Sequence, residues 1–373
     1  MIRIIHTSDL HLDAEVFEND RKRAELRKKE QRALFANIMM YARDRKADLL
    51  LFAGDLFDKP VPEEETRALI LREFENTPDT EIVIACGRHD AYRPGSFLAA
   101  GSFPSNVHIF DSAQLQRIDL PRLKTHIYGY SFTRRSMERS RLSVVPMLDK
   151  SMFNVFVGHT TLGGDARFAP VTAEQIARSG FDYVALGGDH TPTELLEAEG
   201  VRYAMSGSPE GVDFDDCGAR FVRIVAMDKP QGALVLQSKQ IGLSHHRFEK
   251  LEISMDGGKT CADAAEAALA FIKEKDLDGG CFLRLTLTGR VPYTFRPDEA
   301  SFDRVRMRVD RLELIDNTVL ICPEGAQTGK KEDFLSVFAS KAAEKTSDEQ
   351  LRSEILKAAR AALEGSAGEK EKT

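Results

Sequence analysis

Apolar residues in this chain gather into short unbroken runs, and the runs end alike. "MIRIIHTSD" stops at Ser8 and Asp9, "ADLLLFAGD" at Gly54 and Asp55, and "EIVIACGRHD" at Gly87 through Asp90. "MFNVFVGHT" stops at Gly158 and His159, and "FDYVALGGDH" at Gly187 through His190. Runs of this length, apolar throughout instead of alternating, predict strands of a sheet covered on both faces. Between them lie stretches of helical character. One runs from Arg21 to Arg43, with Leu26, Leu34, Ile38 and Met39 as inward positions; others span Glu63–Glu75 and Thr172–Ser179. Strands alternating with helices indicate a layered α/β fold. Ligands in such folds bind beyond the carboxyl ends of the strands, so the chain delivers its Asp and His residues to one rim.

From Arg220 to about Gly242 the pattern turns to β, with "RFVRIVAM" and "GALVLQSKQIGL". A second αβ unit begins near Phe248, with "EKLEISM", a helix from Cys261 to Lys275, "CFLRLTLTG", and further segments to about Cys322. "PEGAQTGKK" has the composition of a linker, followed by helices expected at Glu332–Ala343 and Ser347–Leu363 and a polar tail. The organisation expected is a first domain at 1–245, a second at 246–325 and a C-terminal helical segment at 326–373. The 373 residues, 42% hydrophobic and 30% charged, have globular composition. A net charge of -7 argues against a generally basic nucleic-acid binder, though not against a local basic groove. Five scattered cysteines without a CxxC pattern, no leader-like start and no span-length apolar run point to a reducing cytoplasm and no membrane.

The rim candidates are Asp9, His11, Asp55, Asp58, His89, Asp90, His159 and His190. Mixed carboxylate and imidazole donors suit manganese, iron or zinc, whereas a pure magnesium site would use oxygen donors. Two such ions sharing a carboxylate can clamp a phosphate and acidify a water for in-line attack on phosphorus. Each pair is weak alone: Gly-Asp makes ordinary turns, and a lone His is more often a hydrogen-bonded loop residue. Five of them in order, each closing an apolar strand, are hard to obtain by chance.

In that order, "DLH", "GDLFD", "GRHD", "GHT" and "GGDH" resemble the signature segments of calcineurin-like metallophosphoesterases. "HTSDLHL", "LLLFAGDLFD", "YGYSF" and "GSPEG" resemble those of SbcD-type nuclease subunits and a related YhaO-like branch, over roughly residues 1–225. The resemblance implies a four-layer α-β-β-α sandwich with a smaller αβ capping domain and C-terminal helices. It implies a divalent metal, manganese first, with iron, zinc or magnesium as alternatives. Asp9, His11 and His190 would hold the first ion, and Asp55 would bridge to a second that also uses His159. His89 would protonate the leaving oxygen and Asp90 would orient it.

Two positions depart from the pattern. The second ion would ordinarily take an Asn and a His where this chain has Arg88 and Gly188. One tight site and an incomplete second are therefore expected. Arg88 brings a permanent cation that can grip phosphate oxygens. Asp189 is a conceivable substitute ligand, and replacing Arg88 by Asn together with Gly188 by His should restore the second ion. Asp13, where the group usually has glycine, would tune the first metal or face solvent.

Basic stretches at Asp20–Arg32 and Phe132–Arg141, the latter with Arg134 and Arg135, either attract phosphate or are solvated faces. Phe334, Leu335, Val337 and Phe338, then Leu351, Ile355, Leu356 and Leu363, either dock a partner or pack on the chain's own body. The resemblance implies DNA and an SMC-like ABC ATPase (SbcC-like) as partners, with a homodimer possible. Three functions follow: a metal-dependent nuclease of a DNA repair complex, a weak or inactive subunit that binds DNA or the ATPase, and a phosphoesterase for a small phosphodiester.

Overall fold

Leu49–Ala53 is buried at every position because each face has its own partner. In the computed structural model, which describes residues 1–16, 20–144, 146–321, 338, 341–342 and 344–370, alternate side chains of this strand enter different cores. Leu49, Leu51 and Ala53 join Val155, Val157 and Ala185 of a second sheet. Leu50 and Phe52 join Leu34, Phe35, Ile38, Ile70 and Phe74 of two helices. Period-two geometry thus turns an unbroken apolar run into the middle of a stack.

The chain divides into two compact units, Met1–Arg247 and Phe248–Thr373. The strands of the first are β1 (Ile2–Thr7), β2 (Leu49–Ala53), β3 (Glu81–Ala85), β4 (Val107–Ile109), β5 (Gln116–Leu120), β6 (Thr125–Gly129), β7 (Phe153–His159), β8 (Tyr183–Gly187), β9 (Leu196–Ala198), β10 (Val201–Met205), β11 (Val222–Asp228) and β12 (Val235–Ile241). They form two six-stranded sheets, ordered β12-β11-β1-β2-β3-β4 and β5-β6-β7-β8-β10-β9. Helices α1 (Arg21–Asp44) and α2 (Glu64–Glu75) cover the first sheet. A short α3 (Phe97–Ala100) also reaches that core through Phe97 and Leu98. Helix α4 (Ala173–Ser179) covers the second sheet through Ile176. This is the expected α-β-β-α sandwich. Strands β1 to β4 run parallel, as do β6, β7, β8 and β10. The carboxyl ends of β1, β2, β3, β7 and β8 and the loops that follow them carry the rim candidates, His159 being the last residue of β7.

Helix α1 corrects one inward position. Its buried stripe is Arg27, Gln31, Leu34, Phe35, Ile38, Met39 and Ala42, whereas Leu26 is 54% exposed. Leu26 lies one 100° step off that stripe, and the arginine beside it is buried instead. Arg27 pairs with Glu210 at 2.5 Å and donates to Gly211 O at 2.9 Å. Lys28 pairs with Glu63, and Arg32 with Asp13, Glu63 and Glu65. These three basic groups are committed to ion pairs, so the phosphate-attracting alternative for Asp20–Arg32 does not apply to them.

The second unit begins one residue into β13 (Arg247–Ser254) and continues with β14 (Cys281–Thr288), β15 (Arg290–Pro292), β16 (Arg311–Asp316) and β17 (Val319–Ile321). Its helices are α5 (Cys261–Glu274), α6 (Asp303–Arg306) and α7 (Glu349–Lys370). Strands β13, β14 and β16 form one sheet, and β15 pairs with β17. Thr260 and Asp263 make a reciprocal capping box that starts α5. Helix α7 belongs to this unit instead of standing apart: Leu356 enters its core, and Ser353 Oγ accepts from Leu320 N at 2.9 Å. Leu356 therefore packs on its own body, while Ile355 is half-buried and Leu351 is exposed. Phe338 is also exposed; Phe334, Leu335, Val337, the linker and Cys322 lie outside the described residues, as does the side chain of Leu363. The four described cysteines are free thiols. Among the described residues no helix is long and apolar enough to cross a membrane.

Phe35 stacks on Phe52 and packs edge-on to Phe74, with no exposed surface. Phe35→Ala should lower the stability of the first unit by about 3–5 kcal/mol, measured by denaturant unfolding of the full chain. A loss below about 1 kcal/mol would mean that this helix–sheet core is not cooperative with the strands beneath it.

Candidate metal centre and active site

The loop after β1 turns back on itself to present Asp9 and His11 together. Asp9 (φ 53), His11 (φ 45) and Asp55 (φ 49) all hold left-handed backbone conformations. Non-glycine residues adopt these uncommonly, and such strain collects at functional sites. Here it is held by bonds between the two loops: Asp9 N donates to Gly54 O at 2.9 Å and His11 N to Asp55 O at 3.1 Å. The end of β7 also presses on the second loop, so that any Cβ at Gly54 would collide with the His159 ring.

Four donors converge from these loops. His11 Nδ1 lies 3.3 Å from Asp58 Oδ1, and His190 Nδ1 lies 2.9 and 3.0 Å from the two Asp216 oxygens. In the neutral tautomers whose Nδ1–H groups donate to these carboxylates, the lone pair of each ring is on Nε2. Those two Nε2 atoms are only 3.2 Å apart. Asp9 Oδ1 and Asp55 Oδ2, both fully buried, have no hydrogen-bond donor. Two facing lone pairs beside two unsatisfied carboxylate oxygens are unfavourable unless a cation lies among them. Asp9, His11 and His190 all offer ligand atoms within 4.8 Å of one another. The donor set fits a divalent ion of the mixed N/O type.

The second berth is different. Asp9, Asp55 and His159 also cluster within 4.8 Å, with His159 Nε2 at 3.3 Å from Asp55 Oδ2. Arg88 then enters where the pattern expects a neutral ligand. Its Nε lies 3.7 Å from Asp55 Oδ2, and its guanidinium sits over the Phe168 ring at 4.8 Å from the centroid. Gly188 (φ +115) donates its N–H to Asp9 Oδ2 at 2.9 Å, and a Cβ there would overlap the Thr160 carbonyl. Asp189 is in none of the clustered donor groups among the described residues, and one of its carboxylate oxygens accepts from Leu162 N at 3.1 Å. A pocket of about 620 Å³ opens on this side, lined by Arg88, Phe168, Gly188, Asp189 and His190 among others.

The titratable groups record how strongly this rim demands positive charge. Burial alone would raise the Asp55 carboxyl, but the His159, His11 and His89 imidazoles hold it well below the ordinary carboxylate range. Burial opposes the charged form of His159, yet the Asp55 carboxylate against it lifts its pKa to about 9. A proton on His159 is one answer to buried carboxylates, and a metal ion is another.

His89 is half-buried, and its ring packs edge-on to His11 at 4.7 Å. The expectation that Asp90 orients it is corrected. His89 Nδ1 lies 3.3 Å from Asp58 O and 3.5 Å from Asp58 Oδ1, and the hydrogen bond with Asp58 raises its pKa. Asp90 instead accepts from Gly87 N at 2.7 Å and Leu56 N at 2.8 Å, tying the β3 loop to the β2 loop. Burial and the Asp55 charge push Asp90 up to about 6.

Asp13 neither faces solvent nor joins the donors. Its carboxylate accepts from Thr66 Oγ1 at 2.6 Å, Glu63 N at 2.8 Å and Arg32 Nη2 at 3.1 Å, and so staples the loop to α2. Arg134 and Arg135 are exposed on the loop beyond Phe132, whose ring meets His159 edge-on, and they do not line the 620 Å³ pocket. Asp216 is the residue that the strand-end pattern missed. It lies 26 positions after His190, past β10, where no apolar run marks it.

The fold and this rim define a class. The calcineurin-like phosphoesterase family model matches residues 2–192, and the chain belongs to that family. It is 26% identical over 228 residues to the uncharacterized metallophosphoesterase YhaO of Bacillus subtilis, covering 58% of this chain and 55% of that protein. It is 25% identical over 283 residues to the DNA double-strand break repair protein Mre11 of Methanopyrus kandleri, covering 68% and 58%. It is 25% identical over 272 residues to the SbcD component of the nuclease SbcCD of Escherichia coli K12, covering 60% and 64%. The chain thus spans between 55% and 64% of the length of these curated relatives.

The geometry of Gly188 revises the expected restoration of the second ion. A histidine there meets both an unfavourable φ and the Thr160 backbone. Arg88→Asn with Gly188→His should therefore gain no second tight ion, and Gly188→His alone should cost at least about 1–3 kcal/mol. Thermal melting of the metal-free protein and metal analysis of the double variant check this. A stable double variant holding an additional ion would show that the loop moves freely.

Proposed function

We propose that this protein is a metal-dependent phosphodiesterase that cleaves DNA, working as the nuclease subunit beside an SMC-like ABC ATPase. The observation that carries the reading is the 3.2 Å approach of the His11 and His190 Nε2 atoms beside two buried, undonated carboxylate oxygens. Asp9, His11, His190 and Asp55 would hold the ion, manganese before iron, zinc or magnesium. A cation bound there supplies a Lewis acid for a phosphoryl oxygen and lowers the pKa of water.

The chain's own groups supply the rest. Arg88, steadied by Asp55 and Phe168, takes the second berth and presents its remaining N–H donors to a phosphate oxygen. His89, steered by Asp58, gives its proton to the leaving oxygen as the phosphorus–oxygen bond breaks. Arg134 and Arg135, exposed beyond Phe132, extend positive charge along the path of a phosphate backbone. A second reading, a subunit that binds DNA or the ATPase with little hydrolysis, draws support from Gly188, whose backbone leaves no room for the missing ligand.

Manganese-dependent cleavage of linear duplex DNA decides between the readings, with bis-(p-nitrophenyl) phosphate as the small diester. The parent should bind about one tight ion per chain and cleave DNA, and His89→Ala should lower the rate by about 10²–10⁴-fold. Binding without cleavage supports the second reading, and cleavage of the small diester alone indicates a small-molecule phosphoesterase. Two fully bound ions would remove the role given to Arg88, and undiminished cleavage by His89→Ala would remove the proton donor.

A further inference from the structure

His190 is held from two directions by residues outside the stretch that matches the family. Its Nδ1 lies 2.9 and 3.0 Å from the two oxygens of Asp216, a carboxylate only 5% exposed. Asp216 is itself fixed: its Oδ2 accepts from Val212 N at 3.0 Å, and its backbone carbonyl accepts from Arg220 Nε at 3.1 Å. Arg220, also buried, reaches past it to donate through Nη1 to the His190 carbonyl and through Nη2 to Cys217 O at 3.1 Å. Ser208 N donates to that same His190 carbonyl at 3.0 Å. One residue therefore has its ring gripped by a carboxylate and its backbone by the guanidinium that steadies the carboxylate.

We infer that Asp216, braced by Arg220, is a positioning residue that keeps the His190 proton on Nδ1 and aims Nε2 at the metal position shared with His11. An imidazole has two nitrogens, and which one binds a cation is set by the partner of the other. Without Asp216 the ring is free to turn or to carry its proton on Nε2, 3.2 Å from the His11 Nε2, where a donor cannot be a ligand. Asp58 plays the matching part for His11, at the longer distance of 3.3 Å. The segment from Ser206 to Arg220 is then a working part of the centre instead of a connector between β10 and β11. This inference rests on the metal reading of the rim and is independent of the substrate.

The test uses the full chain and two probes: manganese binding by titration calorimetry, and the visible absorption of bound cobalt. Asp216→Ala should weaken manganese binding by about 10–100-fold and alter the cobalt spectrum. Asp216→Glu should recover most of the affinity, since it restores a carboxylate acceptor. Asp216→Asn, which can still accept from Val212 N, serves if the alanine variant fails to fold, and should bind with intermediate affinity. Parent-like affinity and an unchanged cobalt spectrum in the alanine or asparagine variant would overturn the inference. So would weaker binding that only tracks a fall in metal-free melting temperature and is not recovered by glutamate. A parent that binds an ion, loses it in Asp216→Ala and cleaves no DNA would overturn the proposed function and leave this inference standing. DNA cleavage by the parent with unaltered binding in Asp216→Ala would do the reverse.

Discussion

The arrangement that the rest of the structure serves is a small region where lone pairs face one another. His11 and His190 commit their Nδ1 protons to Asp58 and Asp216, which leaves their Nε2 atoms in mutual approach. Asp9 and Asp55 each add a buried oxygen with nothing donating to it. An apolar core would not tolerate this unaided, since buried charge is costly; here His159 and Arg88 lie 3.3 and 3.7 Å from Asp55 Oδ2. The sandwich makes it tolerable by building the rim from the ends of strands that are themselves fully packed. Left-handed backbone at Asp9, His11 and Asp55 is sustained by the hydrogen bonds between their loops, above a strand buried at every position.

That division of labour explains what could be read from the sequence. Continuous apolar runs announce strands buried on both faces, and the polar residues that stop them announce the rim. The layered fold, the helices between strands and the convergence of Asp9, His11, Asp55, His159 and His190 were legible for this reason. Tertiary partners one step further out were not. Leu26 and Arg27 exchange places because a buried carboxylate, Glu210, sits nearly two hundred positions away in the chain and draws the arginine inward. The family resemblance implies that Asp90 orients His89. The backbone instead turns its carboxylate toward the amides of Gly87 and Leu56, and Asp58 receives the ring.

Asp216 shows the same limit more sharply. Its importance comes from a contact with His190 across a loop, and nothing in local periodicity distinguishes it from Asp213 and Asp215 just before it. Asp13 is the converse: an unusual residue next to a motif whose role is mechanical, a tie between the first loop and α2. Residue type near a site suggests chemistry, but the hydrogen-bond partner decides whether a carboxylate holds a ligand, steers a ring or fastens a loop.

Arg88 and Gly188 are best understood together. A carboxylate pair such as Asp9 and Asp55 requires positive charge, and the same carboxylates, Asp55 foremost, raise the pKa of His159 beside them. A guanidinium 3.7 Å from Asp55 provides it permanently, without exchanging with solvent and without needing a further imidazole. Once Arg88 supplies that charge, position 188 has no ligand to offer, and its N–H is free to satisfy Asp9 Oδ2 from a φ that favours glycine. On the proposed reading the two departures form one arrangement, in which a guanidinium stands where an ion would and glycine's N–H serves Asp9. In that reading the berth would give up Lewis acidity for shape, because a planar fork of donors selects the oxygens of a phosphate more strictly than a spherical ion does.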